Sequence, residues 1–258
     1  MKLNVVNART GSKWVRQGIR VFWKQPIAMS GLFFLFMAIM SLSALLPIVG
    51  SFIALALLPA ATLGLMAASR EVDLGKFPMP TILAIAFRAS KERKRDMAIL
   101  GLLYALGFVF VMGISTLMDG GGFAKLYLVG GKLDAETIMD PNFQNAMWLS
   151  LLLYVPLSMV FWHAPALVHW HGVPALKSLF FSTVACLRNW RAFLVFGLMW
   201  TVIFMSTALI LSLVSGLMGD GELASMTLLP AMLMLAAMFF CSVYFSFCDC
   251  FASDTIYA

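Results

Sequence analysis

Three histidines, His163, His169 and His171, fall within nine positions in FWHAPALVHWHGVP, residues 161–174. Closely spaced histidines can bind a transition metal or haem, and Cys248-x-Cys250 could add thiolate ligands. At about 100° per residue on one helix, His163 and His169 would point about 240° apart and His169 and His171 about 200° apart, so they do not converge. Pro165 interrupts that helix and a turn could gather two of them, but no carboxylate or thiolate stands nearby in sequence to complete a shell. Haem would need a partner histidine on another segment, and the chain has none beyond these three. The stretch reads as a membrane boundary with Trp162 and Trp170 as interface anchors. A metal site at His163, His169 and His171 is the alternative, and no cofactor is expected.

Other chemistry is equally sparse. The four cysteines, Cys186, Cys241, Cys248 and Cys250, form no CxxC pair and read as small apolar packing groups rather than a disulfide framework. No GxSxG, HExxH, phosphate-cradling loop or paired-carboxylate arrangement occurs, so the chain is not expected to be an enzyme.

The elements that carry these residues are legible from composition. Of 258 residues, 62% are hydrophobic and 12% charged, and the mean hydropathy is +0.92. A soluble domain is about half apolar and a quarter charged. Six apolar windows, at about 27–47, 50–69, 97–118, 146–165, 192–217 and 227–248, are each long enough to cross a hydrocarbon core, which takes about 20 residues. The expectation is an all-α polytopic membrane helical bundle forming one integral membrane domain over residues 1–258. Apart from His163, these windows hold no Asp, Glu, Lys, Arg or His.

Charge sets the expected orientation. Segments 1–26, 70–96 and 166–191 hold sixteen of the eighteen Lys/Arg residues, and Lys125 and Lys132 lie on the opposite side. The positive-inside rule then makes both termini cytoplasmic. Within 12–25, Trp14, Val15, Gly18, Ile19 and Phe22 recur at helical spacing opposite Lys13, Arg16, Arg20 and Lys24. That pattern predicts an amphipathic interfacial helix with its aromatic residues at headgroup depth and its cations toward anionic lipid. Residues 80–95 and 175–190 repeat it, the former ending in KERKR with Arg93 and Arg95. The chain thus parses into three units of an interfacial helix plus a hairpin, at 11–69, 78–165 and 172–251.

Packing signals complete the pattern. Ala56, Ala60, Gly64 and Ala68 form a ridge of small residues that lets another helix approach, inside the chain or in a homo-oligomer. Pro59, Pro156 and Pro230 should kink their spans, and Pro47 belongs to the first hairpin turn. The glycine-broken 119–145 segment reads as an irregular or short-element cap.

WxxQGxxxFxxQP (Trp14, Gln17, Gly18, Phe22, Gln25, Pro26), the Leu–Pro first hairpin, APALVHWHGVPALKSLFFS and CLRN (Cys186 to Asn189) carry a resemblance. The chain resembles a proteobacterial family of six-span transmembrane proteins. That family is distantly similar to the YciC group and to the membrane domain attached to some glycerophosphodiester phosphodiesterases. The resemblance runs through most of the chain and implies a bacterial inner-membrane protein with interfacial helices. It implies no activity, substrate or cofactor. Of the three histidines, His171 with Gly172 matches the family pattern, and His163 and His169 do not.

The expected function is a non-catalytic inner-membrane scaffold or accessory protein that works through lipid or membrane-protein contacts. The expected partners are anionic lipids, a membrane protein or a second copy, and no nucleic acid. Transport of a neutral or amphiphilic solute is the alternative.

Overall fold

In the computed structural model, which describes residues 2–46, 49–130, 135–218 and 221–251, the chain is all-α, with no strand among the described residues. Pro47, Lys132, Asp134 and Asp220 lie outside them. The helices are α1 (Arg9–Lys24), α2 (Pro26–Ala44), α3 (Gly50–Asp73), α4 (Lys91–Asp119), α5 (Gly122–Val129), α6 (Ala135–Met139), α7 (Pro141–Phe161), α8 (Ala164–His171), α9 (Ala175–Arg188), α10 (Trp190–Met218) and α11 (Gly221–Cys250). A 3-10 helix, Pro80–Arg88, precedes α4. Six segments are long and apolar enough to cross a membrane: α2, α3, α4, α7 with α8, α10 and α11. Pro59, Pro156 and Pro230 lie inside α3, α7 and α11.

Contacts divide the chain into two compact units. One comprises Met1–Phe36, Thr62–Ile85 and Val184–Ala258, the other Met37–Ala61 and Ala86–Thr183. The divisions fall inside α2, α3, the 3-10 helix and α9, so these spatial units cut across the three sequence units at 11–69, 78–165 and 172–251.

The first unit is organised by α1. Gly11, Trp14, Val15, Gly18, Val21 and Phe22 form its buried face, which lies on α10 and α11. Gly18 makes the close approach possible, because a Cβ there would stand 2.7 Å from the Ser242 Cα. Trp14 is fully buried, with its ring 5.2 Å from Phe193 and 6.0 Å from Phe196. Its indole Nε1–H donates to Asp249 Oδ2 at 2.9 Å. This corrects the expectation that lipid covers the Trp14 face of α1. The amphipathic pattern is real, but α10 and α11 supply a fitted apolar surface and an acceptor, and protein replaces lipid as the cover. Relative to water, burying Trp14 and Phe22 contributes about 1.5–3 kcal/mol each, and relative to lipid far less.

Asn189, between α9 and α10, fixes the segment before α1. Its Oδ1 accepts from the Val6 N–H at 2.7 Å, and its Nδ2 donates to Asn4 O at 3.1 Å. The Asn4 N–H donates in turn to Cys250 O at 2.9 Å. Gln25 Nε2 donates to Lys76 O at 3.2 Å, and Lys24 Nζ lies 3.2 Å from Asp73 Oδ1. The resemblance motifs around Trp14, Gly18, Gln25 and Asn189 are thus the residues that dock α1.

In the second unit α4 packs on α7, and α5 folds back on α4 so that Ala124 joins Phe108, Val111 and Met112 in one cluster. Asp119 sets that reversal: its carboxylate accepts from the Gly121 and Phe123 N–H groups at 2.9 and 2.5 Å. Residues 80–95 differ from the interfacial helix expected there. The 3-10 helix ends at Arg88, Ser90 accepts from the Arg93 N–H as an N-cap, and KERKR forms the opening turns of α4. A serine cap is worth about 1 kcal/mol to a helix start, which a loosely amphipathic run does not outweigh. By contrast α9 buries the small residues Ala175, Ser178, Ser182 and Ala185 and leaves Leu176, Phe180 and Leu187 exposed.

Trp14→Phe keeps the apolar ring and removes the bond to a carboxylate, so it should lower stability by about 1.5–3 kcal/mol. Asp249→Asn keeps an acceptor and loses the charge assistance to the indole bond together with the Lys13 pair at 3.7 Å, whose Lys13 end is 59% exposed, so it should cost less than Trp14→Phe, about 1 kcal/mol. Unfolding in detergent micelles measures both.

Candidate functional site

The structure does not bring the three histidines to one point. His163 is fully buried at the break between α7 and α8, where its backbone N–H donates to Ser182 Oγ at 2.9 Å. Ser182 Oγ donates onward to Met159 O at 2.9 Å, so one hydroxyl from α9 serves both edges of the break. His169 and His171 lie in the last turn of α8, half-buried, and Gly172 closes that helix at φ +64°. Gly172 is also where Arg93 comes close, since a Cβ there would stand 3.6 Å from Arg93 Nη2. Among the described residues no three His, Cys, Asp or Glu side chains gather as an ion site. All four cysteines are buried, and none is in a disulfide. Burial, with Cys250 nearby, pushes the Cys186 thiol up from its ordinary value, which keeps it protonated.

The predicted headgroup cations stand on exposed faces of their own units. Lys13, Arg16, Arg20 and Lys24 line the open side of α1, with Lys13 beside Asp249 and Lys24 beside Asp73. Arg93 and Arg95 project from the first turns of α4. Along the small-residue ridge, Ala60, Gly64 and Ala68 are buried. A Cβ on Gly64 would stand 2.7 Å from the Leu83 Cα, and Gly101 of α4 packs directly on the Ala56 carbonyl.

Sequence reasoning missed the feature that most resembles a binding site. The second unit has two grooves on either side of α5. The first, about 440 Å³, runs between Phe108 and Met112 of α4, Phe123 and Tyr127 of α5, and the α7 face carrying Met147, Trp148, Leu151 and Tyr154. The second, about 560 Å³, lies between the far ends of α2 and α3 and the opposite side of α5. Phe108 and Tyr127 line both, their rings 5.5 Å apart. Few polar atoms face the first groove, and two of its hydroxyls have partners in the protein. Ser150 Oγ donates to Ala146 O at 2.7 Å, and the Tyr154 and Tyr104 hydroxyls pair at 3.3 Å. Neither lining contains an Asp, Glu, Lys, Arg, His or Cys. The signal available in the sequence was tyrosine: three of the chain's five, Tyr104, Tyr127 and Tyr154, cluster here, two of them inside apolar spans.

A curated protein of Burkholderia thailandensis, described as a probable inner membrane protein, is 37% identical to the chain over 254 residues, covering 97% of this chain and 94% of the relative. The chain belongs to the family of that inner-membrane protein. No family model and no solved structure matches the chain. The similarity extends through both proteins almost end to end.

The break between α7 and α8 depends on one hydroxyl. Ser182→Ala leaves the His163 N–H without that acceptor in a buried place and should cost about 1–3 kcal/mol. Ser182→Thr restores the hydroxyl and should recover most of the loss in detergent unfolding.

Proposed function

We propose that this inner-membrane protein is a non-catalytic accessory or scaffold protein that works by holding lipid or a partner membrane protein. The observation that carries the reading is the lining of the two grooves beside α5: mostly apolar, with no Asp, Glu, Lys, Arg, His or Cys in either, and with the Ser150 and Tyr154 hydroxyls bonded within the protein. Such surfaces give contact area without chemistry. The reading includes cytoplasmic termini, with Lys13, Arg16, Arg20, Lys24, Arg93 and Arg95 facing anionic headgroups, each cation contributing about 1 kcal/mol near a charged surface. It also includes distant kinship to the YciC group and the phosphodiesterase-linked membrane domain, supported by the motifs around Trp14 and Asn189.

Extraction in mild detergent, followed by mass spectrometry of what accompanies the full chain, tests the reading. Stoichiometric lipid or protein supports it. A chain that purifies alone and moves a neutral or amphiphilic solute in proteoliposomes overturns it in favour of transport. In native mass spectra the paired variants Arg16→Ala/Arg20→Ala and Arg93→Ala/Arg95→Ala should retain less anionic lipid, and unchanged retention removes the headgroup assignment. A green-fluorescent reporter fused after Ala258 should be bright, whereas an active phosphatase there reverses the orientation.

A further inference from the structure

We infer that the groove between α4, α5 and α7 holds one acyl chain of a zwitterionic phospholipid. The inference rests on the lipid-contact reading above and narrows it to one place and one lipid class. Phe108 and Met112 lie in the second half of α4, and Trp148 and Leu151 in the middle of α7, both membrane-crossing helices, so the groove reaches hydrocarbon depth. The Ser150 and Tyr154 hydroxyls are already bonded within the protein, which leaves a mostly apolar wall for the occupant. An unfilled apolar groove forfeits dispersion contacts along its walls, and in a bilayer the abundant filler is a lipid chain. Met112 and Met147 supply flexible, polarisable walls that adapt to such a chain. The volume of about 440 Å³ falls in the ordinary range for ligand sites.

Charge at the rim selects the headgroup. At this end of the unit the described ionisable residues are Asp119, Glu136 and Asp140 against Lys125, three anions to one cation. Asp119 is tied directly to the groove, because its carboxylate holds the N–H of Phe123, whose ring is part of the wall. Asp140 caps α7, accepting from the Asn142 N–H at 3.0 Å, two turns above Met147. A net negative rim repels an anionic headgroup and favours one that ends in an ammonium. Its preference is therefore opposite to that of the basic faces of α1 and α4.

The test uses the full chain in nanodiscs of equal phosphatidylethanolamine and phosphatidylglycerol, doped in turn with each lipid carrying a diazirine in its acyl chain. After irradiation, labelled peptides are mapped by mass spectrometry. The phosphatidylethanolamine probe should concentrate on peptides holding Met112, Met147 or Trp148, above the level on Leu198 and Val202 of the exposed α10 face. Leu151→Trp, which fills the groove from a half-exposed position, should reduce that labelling to the α10 level. Even labelling of groove and α10, or equal labelling of the groove by the phosphatidylglycerol probe, overturns the inference. Both readouts on the wild-type chain need no variant to fold. Lipid retained on purification together with an even label map defeats the groove and leaves the accessory-protein reading intact. A chain that carries neither lipid nor protein defeats that reading instead.

Discussion

The Trp14 indole bonded to the Asp249 carboxylate is the contact from which the first unit is built. It pins a polar-faced helix against two apolar ones at a place where neither hydrophobicity nor lipid would fix its register. The geometry is narrow because Gly18 brings the α1 backbone onto Ser242, and a side chain at that position would lift the indole away from its acceptor. Asn189 applies the same logic one step earlier in the chain, clasping residues 4 and 6 to the end of α9. Within a membrane, where apolar helices gain little from leaving lipid, directed bonds and close backbone approaches of this kind decide which helices stay together.

The six spans were legible because a run of some 20 apolar residues has few other solutions, and Pro59, Pro156 and Pro230 fall inside the helices where their positions in those runs put them. What was not legible depended on partners distant in sequence. The pattern of α1 is that of a helix lying on lipid, and only Asp249 and the α10 rings show that protein covers it. The KERKR segment looked like the end of a surface helix because its periodicity continues that of residues 80–88, while the deciding event is one serine, Ser90, capping a new helix. The grooves were hidden for a different reason. Tyrosine passes for an apolar residue in a hydropathy window, and nothing local reveals that Tyr127 on a short helix meets Phe108 on a long one. The motifs that carried the family resemblance were readable as motifs, and their meaning as a set of docking contacts required the fold.

The two units differ in what they offer. The first is closed by specific polar contacts around α1, with cations turned outward. In the second the conspicuous surfaces are concave and apolar, and the Ser150 and Tyr154 hydroxyls among them bond to their own chain.

The bond between Trp14 and Asp249 joins residues 235 positions apart. At synthesis rates of about 5–20 residues per second, roughly 10–50 seconds separate the emergence of one from that of the other. Throughout that interval the apolar side of α1 has neither α10 nor α11 to cover it, and the bilayer surface is the nearest medium that can. The amphipathic pattern of residues 12–25 therefore suits the lipid surface open to the growing chain as well as the protein surface that covers α1 in the folded one. Made 235 positions before its acceptor, Trp14 can be pinned only when α11 is present.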